Sequence, residues 1–499
     1  MKCDGYKPKN SRKRGTAPPQ VSIRPAARKV VLFNSWFRTA LSSAPDFADG
    51  DEKRYFQFFS ECTVIALLPY YNTDQWRRLI LQASAEPAIR HVLMALGALH
   101  RIFIERVDSS DCLSKPATAE QQKLQNEHHL EAIQHYSKAI RLMKVAAGSS
   151  TQPLRMKLLT CLVIICFEAF HGNLDLADTQ LQIGLKLLHE WRKHYKLEDT
   201  ISVECPSPAP NVVEHELVQC FDRLEVQSLK NFTLAKGQEE GRMEVQDSII
   251  SPKIPRSFTN FEEANNYLDL GVARLQPHMY PNPGSNQNSP EYSEQEAMVQ
   301  KQNSLQSSFD ILTKWHAAFD KLLDNPLDEI GFVEALSLQA RHKDYLVRLM
   351  TLMPTVNTNH QLVAIFNEIV NDAEGVLCRC RSFRVPAAGY YFQQGVIMPL
   401  YVVGLRCSSH TIRSRAIKIL LSRSWREMFL DSVVAGKIAQ WVQSREEEFI
   451  EGDVTPTWAQ IRDLEQDYDY QAKEAYIVCK QRETPESTVT RELRTTIRW

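Results

Sequence analysis

The stretch Leu154–Phe170, LRMKLLTCLVIICFEAF, decides the fold, because a helix of this sequence is apolar on nearly every side. Such a helix needs other elements around it, so we predict that it lies at the centre of the protein. It is followed by Gly172-Asn173, a pair typical of a helix C-terminus. Its most apolar part, Leu158–Phe167, has ten residues, whereas a helix needs about 20 to span a bilayer. The sequence therefore predicts a soluble protein with a buried central helix and no membrane partner.

The segments around this helix have apolar residues at steps of three and four, which is the spacing of amphipathic helices. One segment starts at Glu86-Pro87, with proline at the first helical position, and continues to about Phe103. Together with residues 118–147 and 176–195, it is expected to form antiparallel helices stacked pairwise with the central one. The same spacing resumes over residues 303–319, 332–353, 360–378 and 390–449. The predicted fold class is all-α, a multi-helix antiparallel array.

The chain divides by composition into five segments. Residues 1–30 carry nine lysines and arginines against one acidic residue, and we expect a disordered basic arm there. Residues 31–200 and 301–455 have the helical spacing, and residues 201–300 combine a helix with long loops rich in proline and asparagine. Residues 456–499 form a tail, of which the last thirty residues are polar and carry no predicted structure.

The composition is that of a globular intracellular protein. Of the 499 residues, 43% are hydrophobic and 24% are charged, and the net charge is −1, so an acidic body follows the basic arm. The eleven cysteines are scattered, and several stand inside apolar helical runs, where a thiol behaves as a small hydrophobic group. We therefore predict a reducing compartment, and the polar start Lys2-Cys3-Asp4 predicts no secretory signal.

The chain has no motif that indicates catalysis. A glycine-rich phosphate loop, a nucleophile-elbow serine and a dinucleotide fingerprint are all missing from the sequence. His128, His129 and His135 lack the spacing of a zinc protease, and we interpret them as surface or interhelical residues. Cys378 and Cys380 are two apart in a predicted helix and therefore point to different faces. The sequence predicts no catalytic and no cofactor-binding residues, and hence a protein that is not an enzyme.

The most specific local pattern is at the start of the chain, which reads MKCDGYKPKNSRKR. It resembles the end of the fungal Zn2Cys6 binuclear cluster, in which the sixth cysteine commonly lies in Lys-Cys-Asp-Gly-Tyr and a basic linker follows. The resemblance implies that Cys3 is the last zinc ligand. It also implies that the following basic residues contact the DNA backbone or serve in nuclear import: Lys2, Lys7, Lys9, Arg12, Lys13 and Arg14.

The intact cluster holds two zinc ions with six thiolates, but no cysteine lies between Cys3 and Cys62. Because structural zinc supplies the folding energy of such a module, we expect no zinc and only weak, salt-sensitive DNA binding for the chain as given. One explanation, which we favour, is that coding sequence upstream of Met1 has been missed. The others are a relative that has lost the module, or an accidental basic tail.

The body also resembles the helical regulatory domain of these fungal factors, over about residues 30–450. The first part of the resemblance lies in the order of short stretches: Phe56–Glu61, Trp76–Leu79, Ser84–His91, Ala95–His100, His135-Tyr136, Ala139-Ile140, Phe167-Glu168, Gly172-Asn173, Ala177 and Gly184. The second part is Gly395–Tyr401, Cys407, Ile412-Arg413, Arg415–Ile417 and Leu420-Leu421. For Glu168, Gly172 and Gly184 we predict helix capping and close packing and not a ligand role.

The resemblance implies a nuclear transcription regulator of RNA polymerase II genes, expected to be specific for one metabolic or biosynthetic gene set. In the intact family member the zinc module lays a short helix in the major groove of double-stranded DNA, and the linker positions it. The helical region would then respond to a transcriptional co-regulator or a small effector. Dimerisation stays open, because residues 15–35 show no heptads. The alternative is a DNA-independent helical co-regulator or scaffold that lacks the zinc module.

Overall fold

The structure is a computed structural model that describes most of the chain after residue 46. The described residues are 47, 50–67, 74–108, 119–147, 153–195, 207–232, 253–273, 294–353, 359–382, 389–392, 394–470 and 472–499. They are mostly helical, as the predicted all-α fold class requires.

Seven helices make up the N-terminal half of the described chain. Helix α1 is Gly50–Phe58, and it continues into a π-helical segment, Phe59–Thr63, and a short helical turn, Val64–Ala66. The others are α2 Asp74–Ala83, α3 Pro87–Asp108, α4 Ala119–Ala147, α5 Leu154–His171, α6 Leu174–His194 and α7 His215–Phe232. The prediction of a helix starting at Pro87 is confirmed.

Helix α5 is the central helix that its sequence predicts. Every residue from Leu158 to Phe170 except Thr160 is buried. The helix ends at Gly172, which has φ +107°, and the N–H groups of Gly172 and Asn173 both donate to the carbonyl of Glu168 at 2.8 Å. A side chain at this φ would strain the backbone, so glycine is required there. The predicted capping role of Glu168 and Gly172 is confirmed.

Two glycines let helices approach closely in this half. A Cβ on Gly184 of α6 would lie 2.3 Å from the Phe221 ring of α7, which confirms the predicted close packing. A Cβ on Gly97 of α3 would lie 2.6 Å from the carbonyl oxygen of Tyr55 in α1. Among the described helices, α3 alone is long and apolar enough to cross a membrane by length and composition, and 72% of its window Pro87–Ile104 is buried inside the protein.

Among the described residues, the C-terminal half has seven more helices around one apolar core. They are α8 Phe261–Ala273, α9 Glu294–Leu323, α10 Glu329–Leu352, α11 Asn359–Ser382, α12 Ile397–Arg406, α13 His410–Leu421 and α14 Ser432–Glu446. Trp315 lies in this core, stacked on Phe319 with ring centroids 4.6 Å apart, and its Nε1 donates to the Ala264 carbonyl at 2.7 Å. Asp328 and Asp431 cap the first turns of α10 and α14 through their carboxylates.

Two small sheets interrupt the region where the sequence predicted continuous helical spacing or no structure. The first has the order β1 Tyr390–Tyr391, β2 Arg426–Glu427 and β3 Leu430–Asp431, with β1 parallel and β3 antiparallel to β2. The second is antiparallel in the order β4 Arg462–Asp469, β5 Glu474–Arg482 and β6 Thr490–Arg498.

Strands β5 and β6 of the second sheet lie in the polar last thirty residues, for which no structure was predicted, and β4 lies directly before them. Its central strand alternates, with Ala475, Ile477 and Cys479 buried and Tyr476 exposed, as a strand with one covered face requires. The covered face packs on the helical core, where the Tyr401 hydroxyl of α12 donates to Gln466 Oε1 at 3.0 Å. The sheet therefore covers one side of the C-terminal core.

Candidate functional site

The residues predicted from the N-terminal motif cannot be placed in the fold. Cys3, the predicted zinc ligand, lies outside the described residues, and so do the predicted backbone-contacting residues Lys2, Lys7, Lys9, Arg12, Lys13 and Arg14. Their roles stay predictions. The described helices contain a different concentration of polar side chains.

This concentration lies on the buried side of helix α4, where apolar residues normally stand. The buried positions of α4 follow helical spacing and are polar or small: Gln125, His128, Ala132, His135 and Ala139. The two alanines are fully buried, so their small side chains let the neighbouring helix approach. The neighbours are α3, which brings His91, and α1, which brings Glu52 and Tyr55 on one buried face.

We call Glu52, Tyr55, His91, His128 and His135 the histidine cluster. The Nδ1 atoms of His91 and His135 are 3.2 Å apart, and their rings stack with centroids at 5.4 Å. A hydrogen bond of 2.8 Å joins the Tyr55 hydroxyl to Nδ1 of His128. Glu52, His91 and His135 are 7%, 6% and 7% exposed, so all three are nearly shielded from solvent. One potential ligand atom from each of these three lies within 4.8 Å of the other two.

Burial controls the electrostatics of the cluster. Desolvation, followed by the positive charge of Lys138 and the neighbouring His135, lowers the pKa of His91 to about 4. His91 is therefore neutral at physiological pH. Lys138 reaches the cluster from the surface side of α4, where its Nζ contacts Glu52 Oε1 at 3.0 Å. Desolvation also raises the pKa of Tyr55, so its hydroxyl stays protonated.

A second polar group connects α4 to the end of α5. The Tyr136 hydroxyl donates to Glu168 Oε1, and the Tyr136 ring stacks on Phe167 with centroids 3.9 Å apart. Burial and this hydrogen bond raise the pKa of Tyr136, in that order. The other carboxylate oxygen of Glu168 accepts from Asn173 Nδ2 at 2.8 Å. Glu168 therefore fixes the turn between α5 and α6, and its side chain serves structure.

A contact region, here called the junction, joins the end of α5 to the first small sheet. Arg426 of β2 donates through Nη1 to the Phe170 carbonyl at 3.3 Å and through Nε to Asp431 at 2.9 Å. The ring of Tyr390 in β1 stacks on Phe170 at 5.4 Å. A Cβ on Gly172 would lie 3.0 Å from Arg426 Nη1, so a larger residue at this position would crowd the guanidinium. The two helical halves thus meet at defined polar contacts.

Glu427, the next residue of β2, is a buried carboxylate with a structural role. It accepts hydrogen bonds from the backbone N–H groups of Gly395, Val396 and Ile397 at 2.8–3.0 Å, at the start of α12. Trp425 Nε1 donates to it as well, at 3.3 Å. These donors favour the charged form, but burial outweighs them and raises the pKa of Glu427.

The α4 histidines were predicted to be surface or interhelical residues, and the structure places them in these two positions. His128 and His135 are buried between helices, whereas His129 lies at the surface, where its Nε2 is 3.2 Å from Nε2 of His171. The sequence search missed the grouping of His135 with His91, because the two are 44 residues apart on separate helices. One local signal was present, since polar residues occupy the positions of α4 that helical spacing assigns to the core.

Comparisons with known proteins show which family the N-terminal helices resemble. Residues 54–228 match the family described as Fungal specific transcription factor domain. The chain is also similar to the aspercryptin biosynthesis cluster-specific transcription regulator atnN of Emericella nidulans, with 27% identity over 195 residues. That match covers 38% of this chain and 30% of the relative, so the chain spans less than a third of the relative it matches. No solved structure matches the chain. The matched family segment contains His91 and His135 and begins two residues after Glu52.

Proposed function

We propose that this protein is a transcription regulator of the Zn2Cys6 type. The premise is that the chain fits the fungal transcription factor family. The observation that supports this class is the combination of the family match over residues 54–228 with the start Lys2-Cys3-Asp4-Gly5-Tyr6. In this proposal Cys3 is a zinc ligand of a DNA-reading module. The protein binds double-stranded DNA through that module and acts in the nucleus. Members of such a family are regulators and generally not enzymes.

The second part of the proposal is that the regulated genes belong to one metabolic or biosynthetic set. The relative in Emericella nidulans is named as a cluster-specific regulator of aspercryptin biosynthesis, and that name supports the same kind of role here. The product of the pathway does not follow from these residues. Lys2, Lys7, Lys9, Arg12, Lys13 and Arg14 would contribute phosphate contacts or nuclear import.

The third part concerns the helical body, which we assign to regulation through a co-regulator or a small effector. The body that follows the basic arm is acidic, and like charge repels it from the phosphates of DNA. The junction supplies a path between its halves, since Arg426 contacts the Phe170 carbonyl of one half and Asp431 of the other.

The test is a comparison of two cysteine variants at the native locus. Transcripts are sequenced from strains with the gene deleted, with Cys3→Ser, and with Cys378→Ser, which changes an exposed cysteine of the body. We expect the deletion and Cys3→Ser to alter the same limited set of transcripts, and Cys378→Ser to alter none of them.

Two results would contradict parts of the proposal. If the deletion changes the transcripts and Cys3→Ser leaves them as in the wild type, the protein works without a zinc module, and the DNA-independent co-regulator is the better description. If the deletion changes no transcripts under conditions in which the protein is expressed, the regulatory function itself is wrong. Mapping the 5′ end of the transcript shows in addition whether five more cysteines in C-x2-C spacing precede Met1 in frame.

A further inference from the structure

The histidine cluster contains a set of donor atoms that the proposed function does not use. His91 and His135 contribute imidazole nitrogens and Glu52 contributes a carboxylate, from three different helices. All three side chains are nearly shielded from water. We propose that Glu52, His91 and His135 bind a divalent transition-metal ion, with Zn²⁺ as the ion that this donor set fits best, in a site that links α1, α3 and α4.

The spacing of the two imidazoles fits a shared metal ion. Tetrahedral zinc with Zn–N bonds of about 2.0–2.1 Å places two ligand nitrogens about 3.3 Å apart. The Nδ1 atoms of His91 and His135 are 3.2 Å apart. A carboxylate oxygen of Glu52 lies within 4.8 Å of one ring nitrogen of each histidine, so it needs to approach by at most about 1.5 Å to reach the spacing of two zinc ligands. Three protein ligands leave the fourth position to a water molecule.

The surroundings of His135 support a ligand role for its Nδ1. Metal-binding histidines commonly direct their second ring nitrogen at a carboxylate, which orients the ring and raises its basicity. Nε2 of His135 lies 3.9 Å from Glu131 Oε2, one turn earlier in α4. Tyr55 borders the same ring edge-on, with centroids 6.2 Å apart. Glu131 and Tyr55 therefore border the His135 ring, while its Nδ1 atom lies next to that of His91.

A plain hydrogen bond between the two imidazoles is the competing explanation. An N–H···N bond between neutral rings also fits 3.2 Å, and it requires neither Glu52 nor a metal ion. The two explanations differ in what they require of Glu52 and of Lys138. If a metal binds, the Glu52 carboxylate is a ligand, and the Lys138 ammonium, 3.0 Å from it, competes with the ion.

The site differs chemically from the zinc module of the proposed function, which is built from thiolates. Zinc bound by nitrogen and oxygen has bonds of about 2.0–2.2 Å, whereas zinc–sulfur bonds are about 2.3 Å. X-ray absorption of the zinc-loaded chain therefore separates this site from zinc bound by cysteines. The experiment can fail without affecting the proposed function, and the reverse is also true.

The test is zinc binding to the full chain after removal of metals with EDTA. ZnCl₂ is titrated by calorimetry in a buffer with a non-chelating reductant, and the loaded protein is examined by X-ray absorption. We expect one zinc ion per chain with nitrogen and oxygen neighbours, which replaces the expectation of no zinc that the incomplete thiolate module gave. His91→Ala, His135→Ala and Glu52→Gln should each weaken binding by at least about tenfold, since even indirect ligand partners contribute that much.

Two further variants change surface side chains near the site. His129→Ala removes a surface histidine pair that could also attract zinc, and binding should be unchanged. Lys138→Gln removes the competing ammonium from a side chain that is 50% exposed, and binding should become several-fold tighter. Circular dichroism of the metal-free variants checks folding, and the expected gain in Lys138→Gln tests the site even if an alanine variant unfolds.

The proposal is overturned by any of four results. These are no zinc binding, binding that Glu52→Gln leaves unchanged, binding lost in His129→Ala, and an absorption spectrum with sulfur neighbours. Unchanged affinity in Lys138→Gln would also count against it, because the ammonium would then not compete for Glu52.

Discussion

Two polar groups, one in each half of the molecule, are buried in opposite ways. In the C-terminal half, Arg413 and Glu446 are both 1% exposed and form an ion pair at 2.5 Å. Further bonds surround the pair, since Arg413 Nε donates to the Gly404 carbonyl and Glu446 accepts from the Ile461 N–H. In the N-terminal half, the histidine cluster combines imidazoles with a carboxylate whose lysine partner is half exposed.

The difference separates polar groups that stabilise the fold from polar groups that can respond to pH or to metal ions. A buried pair of fixed charges is stable only as a pair, so it fixes the relative position of α13 and α14. Imidazoles change state with protons and metal ions, and the ammonium beside Glu52 can move into solvent. We infer that the Arg413–Glu446 pair belongs to a fixed scaffold and that the histidine cluster is the responsive part.

The largest effect is expected from breaking the fixed pair. Arg413→Met leaves the buried Glu446 carboxylate without its guanidinium, and we expect it to lower the free energy of unfolding by about 3–5 kcal/mol. The matched control is Arg415→Met on the same helix, whose partner Glu374 is solvent-exposed, with an expected loss below about 1 kcal/mol. Urea unfolding measures both, and equal losses would refute the distinction between fixed and surface pairs.

A second prediction concerns a buried carboxylate that breaks the pattern of the C-terminal half. Burial, together with the negative charges of Asp328 and Glu262, raises the pKa of Glu334 from 4.5 to about 8. The folded protein thus holds a proton that the unfolded chain releases, so the contribution of Glu334 to stability is fully present below pH 4.5 and is lost as pH rises through about 8. The pKa difference between the folded and the unfolded state corresponds to ~5 kcal/mol in the free energy of unfolding. Relaxation of the folded protein around the ionised carboxylate should reduce the observed loss to ~3 kcal/mol.

Glu334→Gln should remove this dependence on pH. Between pH 4.5 and about 8 the variant should become progressively more stable than the wild type, with the full gain reached above that range. Glu329→Gln, at an exposed position of the same helix, is the control and should keep the slope of the wild type. Urea unfolding at five pH values measures the slopes, and parallel curves for wild type and Glu334→Gln would contradict the prediction.

The third prediction tests the junction between the halves. Gly172→Ala places a Cβ at φ +107° and 3.0 Å from Arg426 Nη1, and we expect a loss of about 1–2 kcal/mol in the free energy of unfolding. Gly50→Ala is the control, because a Cβ there meets no atom within 4 Å. It should leave stability unchanged or raise it slightly. If Gly50→Ala loses as much stability as Gly172→Ala, the contact between Gly172 and Arg426 does not explain the loss.

Sequence reasoning succeeds where one segment contains its own signal. Leu154–Phe170 is apolar all round and is followed by Gly172, and the structure has a central helix with a left-handed cap there. Pro87 likewise starts α3. Both features depend on periodicity and backbone conformation, which are local properties of the chain.

It fails where burial comes from distant parts of the chain. Strand β6 reads TRELRTTIR, with Leu493 and Ile497 as its apolar residues, so its alternation is weak until β5 pairs with it and α14 covers it. The Nζ of Lys437 in α14 even donates to the Arg498 carbonyl. The histidine cluster is a second case, since no local spacing relates Glu52, His91 and His135. Tertiary packing, and not propensity, creates both.

The smallest effect is expected from a single hydrogen bond in the N-terminal half. Tyr136→Phe removes the hydroxyl that donates to Glu168, while Asn173 continues to donate to the same carboxylate, so we expect a loss of about 1 kcal/mol. Because the raised pKa keeps the Tyr136 hydroxyl protonated, the loss should be the same at pH 6 and pH 9. The control is Tyr476→Phe, an exposed tyrosine bonded to Glu474, with an expected change near zero. Thermal and urea unfolding of both variants measure the difference. If Tyr136→Phe is as destabilising as Arg413→Met, the N-terminal half is fixed by its polar groups as firmly as the C-terminal half, and the contrast between a scaffold and a responsive part is wrong.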